Sequence, residues 1–453
     1  MTHSQIDSEI LLLDAHTLKD LEIFKSESGE TSLFQFCNLT QTEGGARALR
    51  RRMERPWSRA AQIHATQESL AYILAQRQEF TKLPPAYVVR RAERYANEPL
   101  PIVTSDNLLE FSFAAFTLWA THDRHYISIA LGVQFTCAMI RALRCFVEQV
   151  EIASPAGELA LLLEEMRTLL ARSKLSGIPE QGKGGWVWRI LRLDQVFRLH
   201  EKGAIVQLLH LLYEIDALVA MADATDKYEF VLPLVEEGPL QVHSEGLVHP
   251  FVTDAVANSV ELTQQRRVLF LTGPNMAGKT TYLRAFATAL YLAHLGMGVP
   301  ASSFRFAPAQ RLFSSISPND DLSGGISYFR AEALRVKAIA QAVADGYRVV
   351  AILDEPFKGT NVKDAFDASL AILERLESKK DCLFMFSSHL IELRDQLTTS
   401  SQIDCRYFEA NEGEGRLSFD YRLRPGISNQ RLGMRVLHEE GIFELLDGRP
   451  LEE

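Results

Sequence analysis

The fold of the C-terminal half is decided by the stretch Thr272-Gly273-Pro274-Asn275-Met276-Ala277-Gly278-Lys279-Thr280-Thr281. It follows the apolar run 268–271 and precedes the helix-like run 282–286. This order of strand, glycine loop and helix is the context that the G-x-x-x-x-G-K-[ST] motif requires. Main-chain N–H groups of such a loop turn toward phosphates, and the helix N-terminus adds partial positive charge. We therefore predict that residues 273–281 bind ATP, with Lys279 at the β- and γ-phosphates and Thr280 as a Mg²⁺ ligand.

A second element lies about 75 residues further on, where the apolar run 349–353 ends in Asp354 and Glu355. ATP hydrolysis needs one carboxylate that holds the metal and one that orients and polarises the attacking water. On its own, an Asp-Glu pair is equally typical of a buried strand that ends in solvated acids. Together with the glycine loop, the pair predicts Asp354 near Mg²⁺ and Glu355 near the water.

Two further segments extend the predicted site. The run 384–388 delivers His389 at the carboxyl end of a strand, the edge where open α/β sheets bind ligands, although a lone histidine is more often structural. The segment 320–332 holds Ser323, Gly324 and Ser327, which can form a second anion-binding surface, and Ser323 or Ser327 can at the same time be a helix N-cap. The full set of four elements is typical of ABC-type composite ATPases. In these, the last segment caps the nucleotide of the opposite subunit, so it predicts a dimer.

Composition restricts the class of protein. The chain has 453 residues, 47% of them apolar and 23% charged, with a net charge of −10. DNA contact would therefore depend on local basic patches rather than on the overall field. The five cysteines, at 37, 137, 145, 382 and 405, lack paired spacing and indicate reduced thiols. No signal peptide is recognisable, and the uncharged run 126–140 is short for a membrane span, so we expect a buried core helix in a cytoplasmic protein without a membrane partner.

The pattern of apolar residues changes along the chain. Residues 8–230 show helical spacing almost throughout, and beyond 233–239 the β-rich runs Val268–Leu271, Val349–Leu353 and Leu383–Ser387 alternate with helical segments. The predicted fold is therefore multidomain α and α/β. An all-helical domain at 1–240 precedes an ABC-type P-loop ATPase domain at 241–453, which has a mostly parallel sheet.

These motifs resemble those of the MutS family of DNA-repair ATPases. The Pro-Asn-Met filling of the loop is that family's form, and further similar segments lie on both sides of it: 13–22, 42–56, 249–267, 298–301, 320–332, 354–360 and 389–393. The resemblance implies a helical core and lever region, ATP and Mg²⁺ as cofactors, and a homodimer joined at composite ATP sites. It also implies binding of double-stranded DNA in a structure-dependent way, in mismatch repair or recombination control.

Three departures from the family pattern keep an alternative open. The chain is expected to be a short form without the family's mismatch-reading domain, and Ala255 stands where an adenine-stacking aromatic is usual, with Phe251 as a substitute. The sequences Leu-Asp-Glu-Pro at 353–356 and Leu-Ser-Gly-Gly at 322–325 are closer to the corresponding motifs of transporter ATPases. The alternative is an ABC-type ATPase that acts on a protein or transport partner without DNA.

An arginine cluster is the first of two local candidates for DNA contact in the N-terminal half. Six arginines occur within residues 47–59, opposed in sequence by Glu54 alone: Arg47, Arg50, Arg51, Arg52, Arg55 and Arg59. They could contact phosphates, or they could form a helix face that packs against acidic neighbours. Arg90, Arg91 and Arg94 are a second candidate of the same kind.

Overall fold

The computed structural model describes residues 9–26, 29, 31–151, 154–178, 187–316, 328–397, 400–413, 416–428, 430, 437 and 442–446. These residues form two compact units. The sheet unit takes its residues from Met1–Gln35, Arg55–Ile63 and Lys227–Glu453, and the helical unit from Phe36–Glu54 and His64–Asp226.

The strands all belong to the sheet unit. They are β1 (Leu12–Leu13), β2 (Leu234–Val235), β3 (Val242–Leu247), β4 (Asn258–Leu262), β5 (Val268–Thr272), β6 (Ser303–Phe306), β7 (Arg311–Ser315), β8 (Val349–Asp354), β9 (Cys382–Ser387), β10 (Ile403–Tyr407), β11 (Ala410–Gly413), β12 (Arg416–Phe419) and β13 (Arg424–Pro425).

The helices, in chain order, include several short turns. They are α1 (Ala15–Asp20), α2 (Leu33–Cys37), α3 (Glu43–Glu54), α4 (Ala60–Ala75), α5 (Ala86–Asn97), α6 (Leu108–Thr121), α7 (Asp123–Glu151), α8 (Gly157–Leu170), α9 (Ser173–Ser176), α10 (Val187–Gln195), α11 (Lys202–Lys227), α12 (Lys279–His294), α13 (Tyr328–Ala344), α14 (Val362–Leu376), α15 (Arg394–Leu397) and α16 (Ile442–Leu446). Short 3₁₀ turns cover Glu79–Lys82 and Ile391–Leu393, and a π-helical turn covers Val196–His200.

The main sheet has seven strands in the order β1-β7-β8-β9-β5-β10-β13. All neighbours are parallel except the edge pair β10–β13. A second sheet has the order β2-β6-β3-β4, and β11 pairs with β12 in a hairpin. The predicted strands at Val268–Leu271, Val349–Leu353 and Leu383–Ser387 are confirmed as β5, β8 and β9. Their continuous apolar character reflects burial on both faces, as is usual for parallel strands.

The core of the main sheet holds the loop-bearing strand in place. Phe270 on β5 and Phe386 on β9 are completely buried, and their rings stack 6.2 Å apart. Helix α12 is buried over almost its whole length against this unit. Together these contacts fix the start of α12 at the carboxyl edge of β5.

The N-terminal segment belongs to the sheet unit, whereas the sequence placed it in a helical domain ending at residue 240. Strand β1 pairs in parallel with β7, with Leu12 opposite Arg311. The buried carboxylate of Asp20 accepts hydrogen bonds from the Ser314 hydroxyl at 2.9 Å and from the Ile316 N–H at 2.7 Å. These contacts join residues about 300 positions apart, and the local spacing of apolar residues cannot predict such long-range contacts.

The helical unit is anchored by a buried carboxylate on α11. Asp216 accepts from the N–H groups of Gln41 at 3.0 Å and Thr42 at 2.9 Å, and from the Thr42 hydroxyl at 2.6 Å. The Thr42 hydroxyl in turn accepts from the Gly45 N–H at 2.9 Å, which makes Thr42 the N-cap of α3. Gly45 lies so close to Asp216 that a Cβ atom would overlap the carboxylate.

Two helices of this unit, Asp123–Val150 and Lys202–Lys227, are long and apolar enough to cross a bilayer by length and composition. The second is mostly buried in the structure, as the core helix of a folded unit would be. The predicted core helix at 126–140 is the first half of α7. Its prediction as a helix is confirmed, but its burial is confined to one face, because Ile127 and Leu131 are exposed.

Candidate nucleotide-binding site

The glycine loop connects β5 directly to α12. Gly278 caps the helix with a φ of 99°, and Gly273 has a φ of 140°, both in the region that favours glycine. A Cβ at Gly273 would lie 2.7 Å from the carbonyl oxygen of Phe408. Met276 also has a positive φ and is 79% exposed. The loop therefore turns its backbone in a way that side chains at the two glycines would prevent.

Lys279 is the first residue of α12 and its side chain is almost fully buried. Its ammonium donates to the carbonyl oxygens of Gly273 at 2.7 Å and Pro274 at 3.2 Å. It also lies 3.2 Å from Oε1 of Glu355. A buried ammonium requires such partners, and here they place its charge directly beneath the loop.

Two hydroxyl groups converge on the carboxylate of Asp354 at the end of β8. The hydroxyl of Thr280 donates to Oδ2 at 2.7 Å, and the hydroxyl of Ser387 donates to Oδ1. Asp354 and Ser387 are directly opposite in the β8–β9 register. Ser387 was not singled out from the sequence, although its place at the end of the predicted strand 383–387 was the available signal.

Glu355 is held in an unusual backbone conformation next to this carboxylate. Its φ is 48°, and its N–H donates to the carbonyl oxygen of Ser387 at 3.2 Å and to the Ser387 hydroxyl at 3.0 Å. Its Oε2 lies 2.8 Å from the Lys358 ammonium and 3.8 Å from Nδ1 of His389. A positive φ at a residue other than glycine is costly and is typically found at functional sites.

The charges around Glu355 determine its protonation state. The neighbouring His389 imidazole and the ammonium groups of Lys358 and Lys279 hold the pKa of Glu355 well below its usual range, and partial burial opposes this shift only in part. Glu355 is therefore a carboxylate at neutral pH, able to accept a hydrogen bond from water. His389 is mostly exposed and lies on the solvent side of it.

A cavity of about 440 Å³ opens beside the loop, and it is lined mainly by residues of the segment between β3 and β4, by the start of α12, and by Phe408 and Tyr421. Its wall includes Met276, Gly278, Val256 and Tyr421. Phe251, the substitute that the sequence suggested, is not among its lining residues in the described part of the chain and instead meets His249 ring to ring at 5.6 Å. Tyr421 is one of the aromatic residues beside the loop, and its ring would lie 3.2 Å from a Cβ at Gly278.

Asn258 fixes the position of Tyr421. Its side-chain amide donates to the Tyr421 carbonyl oxygen at 2.9 Å and accepts from the Leu423 N–H at 2.7 Å. This pair of bonds fastens residues 421–423 to the first residue of β4. The sequence gives no local signal for Tyr421 at this site, because it lies 140 residues after the end of the loop.

These residues fit a magnesium nucleotide. The Thr280 hydroxyl and the Asp354 carboxylate are hard oxygen ligands in contact with each other, and Mg²⁺ is held in proteins by one or two such groups together with phosphates and water. Among the described residues, no group of three or more His, Cys, Asp or Glu side chains could hold a metal ion by itself. The arrangement therefore suits a metal that arrives with phosphates.

The structure brings most of the predicted site residues together at one edge of the sheet. Residues 273–281, Asp354, Glu355 and His389 lie there, with Asn275, Met276, Thr280 and Thr281 exposed. Ser323, Gly324 and Ser327 lie outside the described residues, so their predicted role remains a prediction.

The arginine cluster of residues 47–59 is largely paired with carboxylates. In the helical unit, Arg47 pairs with Glu93, Arg50 with Glu54, and both Arg51 and Arg52 with Glu214, at distances of 2.8 to 3.0 Å; in the sheet unit, Arg59 pairs with Glu9 at 3.1 Å. Packing against acidic neighbours, the second of the two interpretations from the sequence, is what the structure shows for five of the six.

The family models and the relatives that match this chain all carry the name MutS. Residues 269–445 match the family model described as MutS domain V, and residues 16–87 match MutS domain III. A DNA mismatch repair protein MutS of Natronomonas pharaonis is 32% identical over 240 residues, which cover 52% of this chain and 28% of the relative. A DNA mismatch repair protein MutS 2 of Halobacterium salinarum is 30% identical over 245 residues, with the same two coverages. The matched part is thus less than a third of either relative.

Proposed function

We propose that this chain, which carries domains III and V of the MutS family, is an ATPase that binds double-stranded DNA of irregular structure and rearranges its dimer as ATP is bound and hydrolysed. Its context would be mismatch repair or recombination control. The observation that carries the proposal is the cluster of Lys279, Thr280, Asp354 and Glu355 at the carboxyl edge of a parallel sheet. The names of the two relatives, both DNA mismatch repair proteins, support the proposed binding of DNA.

Each group of the cluster has a distinct part in ATP hydrolysis. Lys279 and the main-chain N–H groups of the loop bind the phosphates, while Thr280 and Asp354 hold Mg²⁺. The metal, when bound, neutralises charge that develops on the phosphate oxygens. Ser387 is a positioning residue, because it orients the carboxylate of Asp354 and the backbone of Glu355.

Glu355 is the base toward which the attacking water is oriented. As the water oxygen bonds to the γ-phosphorus, the proton passes to Glu355, and the bond from that phosphorus to the β–γ bridging oxygen breaks to release ADP and phosphate. His389, at 3.8 Å from Glu355, helps to place this water. The cavity beside the loop receives the adenine, which stacks on Tyr421.

The dimer follows from the resemblance of the segment 320–332 to the family's signature loop. In this proposal Ser323, Gly324 and Ser327 of one chain complete the ATP site of the other. ATP then favours the closed arrangement and hydrolysis releases it, which couples the nucleotide to the grip on DNA.

The remaining basic residues of the helical unit are the best candidates for DNA contact. Arg90, Arg91 and Arg94 on α5 are exposed, and no carboxylate lies within 4.0 Å of them in the described part of the chain. Contacts between such residues and phosphates depend strongly on salt. The pairing of residues 47–59, together with the net charge of −10, is the observation that favours the alternative: an ABC-type ATPase acting on a protein partner.

Two measurements test the proposed function. ATP binding and turnover are compared between the natural chain and Lys279→Ala, which should lose nucleotide binding. Separately, homoduplex, mismatched and four-way DNA are titrated with and without ATP at two salt concentrations. We expect the triple change Arg90→Ala, Arg91→Ala, Arg94→Ala to weaken DNA binding at least 10-fold and to reduce the salt slope by about 3.

Arg47→Ala serves as the control for the DNA measurement, since Arg47 is already paired with Glu93. If the natural chain hydrolyses ATP but binds none of the three DNAs, the DNA part of the proposal is wrong and the protein-partner alternative is favoured. If Lys279→Ala still binds ATP with the affinity of the natural chain, the proposed site itself is wrong.

A further inference from the structure

Helix α6 is apolar on two opposite faces. Its sequence Leu108–Thr121 contains one charged residue, Glu110. One face buries Phe111 and Ala115 in the helical unit. The opposite face exposes Leu109, Phe113 and Phe116, which are 80%, 75% and 61% accessible. A helix that is apolar all round is normally covered on every side.

The exposed residues of α6 follow the spacing of a helix-packing seam. Leu109, Phe113, Phe116 and Ala120 are four, three and four residues apart, and all four are exposed. This spacing is that of the a and d positions of a coiled coil, which present one stripe to a partner helix. Exposure to solvent alone does not require apolar residues at this spacing.

The beginning of α7, after the turn at His122, also exposes apolar residues. Ile127, Leu131 and Gln134 are exposed at the same spacing of four and three residues, and Ala138 follows four residues later. The opposite side of α7 is buried at Ile129, Val133 and Ile140. Each of the two helices is therefore buried on one side and exposes a stripe on the other.

We call this surface the hairpin face, and it comprises Leu108, Leu109, Phe113, Phe116, Trp119, Ile127 and Leu131. At roughly 200 Å² for a large side chain, the exposed fractions amount to on the order of 800 Å². That exceeds the largest apolar patch usual on a monomer, about 300 to 600 Å². It equals the area of about 800 Å² that each partner buries in a standard stable interface.

A bilayer is a poor fit to the hairpin face. The 14 residues of α6 extend about 21 Å, whereas the hydrocarbon core is about 30 Å thick. The connection between the helices carries His122, Asp123, Arg124 and His125, which are all exposed. The second half of α7 is packed into the helical unit on its inner side. DNA is excluded as an occupant because none of the seven residues is charged.

We infer that the hairpin face is a self-association surface, on which a second copy of this chain packs its own hairpin to complete a four-helix bundle. A two-fold interface is made of the same patch on both subunits, so each apolar stripe meets a stripe of the same composition. An uncharged patch also lets two chains of net charge −10 approach without burying like charges. This inference does not rest on the proposed function, since the association needs no nucleotide.

The test is the mass of the full chain in solution without nucleotide, measured by light scattering or sedimentation at about 1 to 50 µM. We expect a dimer, and Phe113→Glu combined with Phe116→Glu should shift it to a monomer with at least a 100-fold weaker association. Leu161→Glu on α8 is the matched control, since Leu161 is equally exposed but lies outside the hairpin face. Lys279→Ala should remain dimeric, which separates this association from one that needs ATP.

Three results would overturn the inference. They are a monomeric natural chain over the whole range, a double variant that keeps the dimer, and a Leu161→Glu variant that loses it equally. Sedimentation with phosphatidylcholine–phosphatidylglycerol vesicles is the competing arm: a chain that is monomeric and binds vesicles through Phe113 and Phe116 has a membrane-contacting hairpin instead. Circular dichroism of each variant confirms that helix content is retained.

Discussion

The ammonium of Lys279 lies 3.2 Å from the carboxylate of Glu355, so the residue proposed to bind phosphate is in contact with the residue proposed to activate water. A γ-phosphate competes with this carboxylate for the same buried cation. Lys279 also donates to two loop carbonyl oxygens, which a phosphate would displace. In the proposed mechanism the contact would therefore link the binding of ATP to the release of Glu355 toward water.

Replacing Glu355 by Gln tests this link. The amide has nearly the same shape but no charge, so Lys279 loses a competing partner and ATP should bind several-fold more tightly. Turnover should fall by about 100- to 1,000-fold, because the amide cannot accept the proton of the attacking water. Single-turnover hydrolysis and a fluorescent-nucleotide titration measure the two effects separately.

The matched control for that experiment is Glu374→Gln, an exposed glutamate on α14 away from the loop. It should leave both quantities unchanged. Unaltered turnover in Glu355→Gln would remove Glu355 from the mechanism, whereas weaker ATP binding would contradict the competition between Glu355 and phosphate for Lys279.

Tyr421 should contribute to the binding of adenine but not to that of phosphate. Loss of one base-stacking ring costs about 1 to 3 kcal/mol, so Tyr421→Ala should raise the Kd for ATP by roughly 5- to 150-fold, and Tyr421→Phe should leave it near the natural value. Inorganic tripolyphosphate, which has no base, is the internal control. If Tyr421→Ala weakens the binding of tripolyphosphate as much as that of ATP, Tyr421 stabilises the loop and does not stack on the adenine.

The glycine loop, the two carboxylates and strands β5, β8 and β9 could be predicted because their signals are local. A run of apolar residues before Gly273, or before Asp354, specifies both the strand and the edge at which it ends. Tyr421 could not be predicted, since its position depends on the two hydrogen bonds made by Asn258, a residue 163 positions away. The same holds for β1: the pairing of Leu12 with Arg311 is a long-range contact that no local periodicity encodes.

Charge patterns were even less informative than apolar ones. Six arginines in 13 residues suggested a phosphate-binding surface, yet partners such as Glu93 and Glu214 come from other helices of the same unit. Sequence spacing shows which charges share a helix face, but not which carboxylates the fold places against them.

The buried imidazole of His294 should make the stability of the sheet unit depend on pH. Nδ1 contacts the Trp57 carbonyl oxygen at 2.6 Å, and Nε2 accepts from the Ala309 N–H at 3.3 Å, so the ring is neutral with its proton on Nδ1. Burial lowers the pKa of His294 from 6.5 to about 4. Because the unfolded chain binds this proton more readily, stability is complete above pH 6.5 and is lost as the pH falls toward 4.

Between pH 7 and pH 5 this histidine should cost about 2 kcal/mol of unfolding free energy. His294→Gln should be less stable at pH 7 but should lose less stability on acidification, as measured by thermal unfolding across that range. His64→Gln, at an exposed position on α4, is the control and should keep the natural pH dependence. Equal slopes for the natural chain and His294→Gln would show that other groups determine the acid sensitivity.

Gly45 on α3 should be intolerant of a single added methyl group. A Cβ there overlaps the buried carboxylate of Asp216, which accepts the N–H groups of Gln41 and Thr42. Gly45→Ala must therefore push Asp216 away from these donors or shift the helix, at a cost of about 1 to 3 kcal/mol. Gly203→Ala is the control, because nothing lies within 4 Å of a Cβ at that helical position, and it should be neutral or slightly stabilising. Thermal unfolding gives the size of the effect, and hydrogen exchange at Gln41 and Thr42 locates it. Faster exchange of these two amides in Gly45→Ala alone identifies the lost bonds to Asp216, whereas unchanged exchange with a lower melting temperature would place the damage elsewhere in the helical unit.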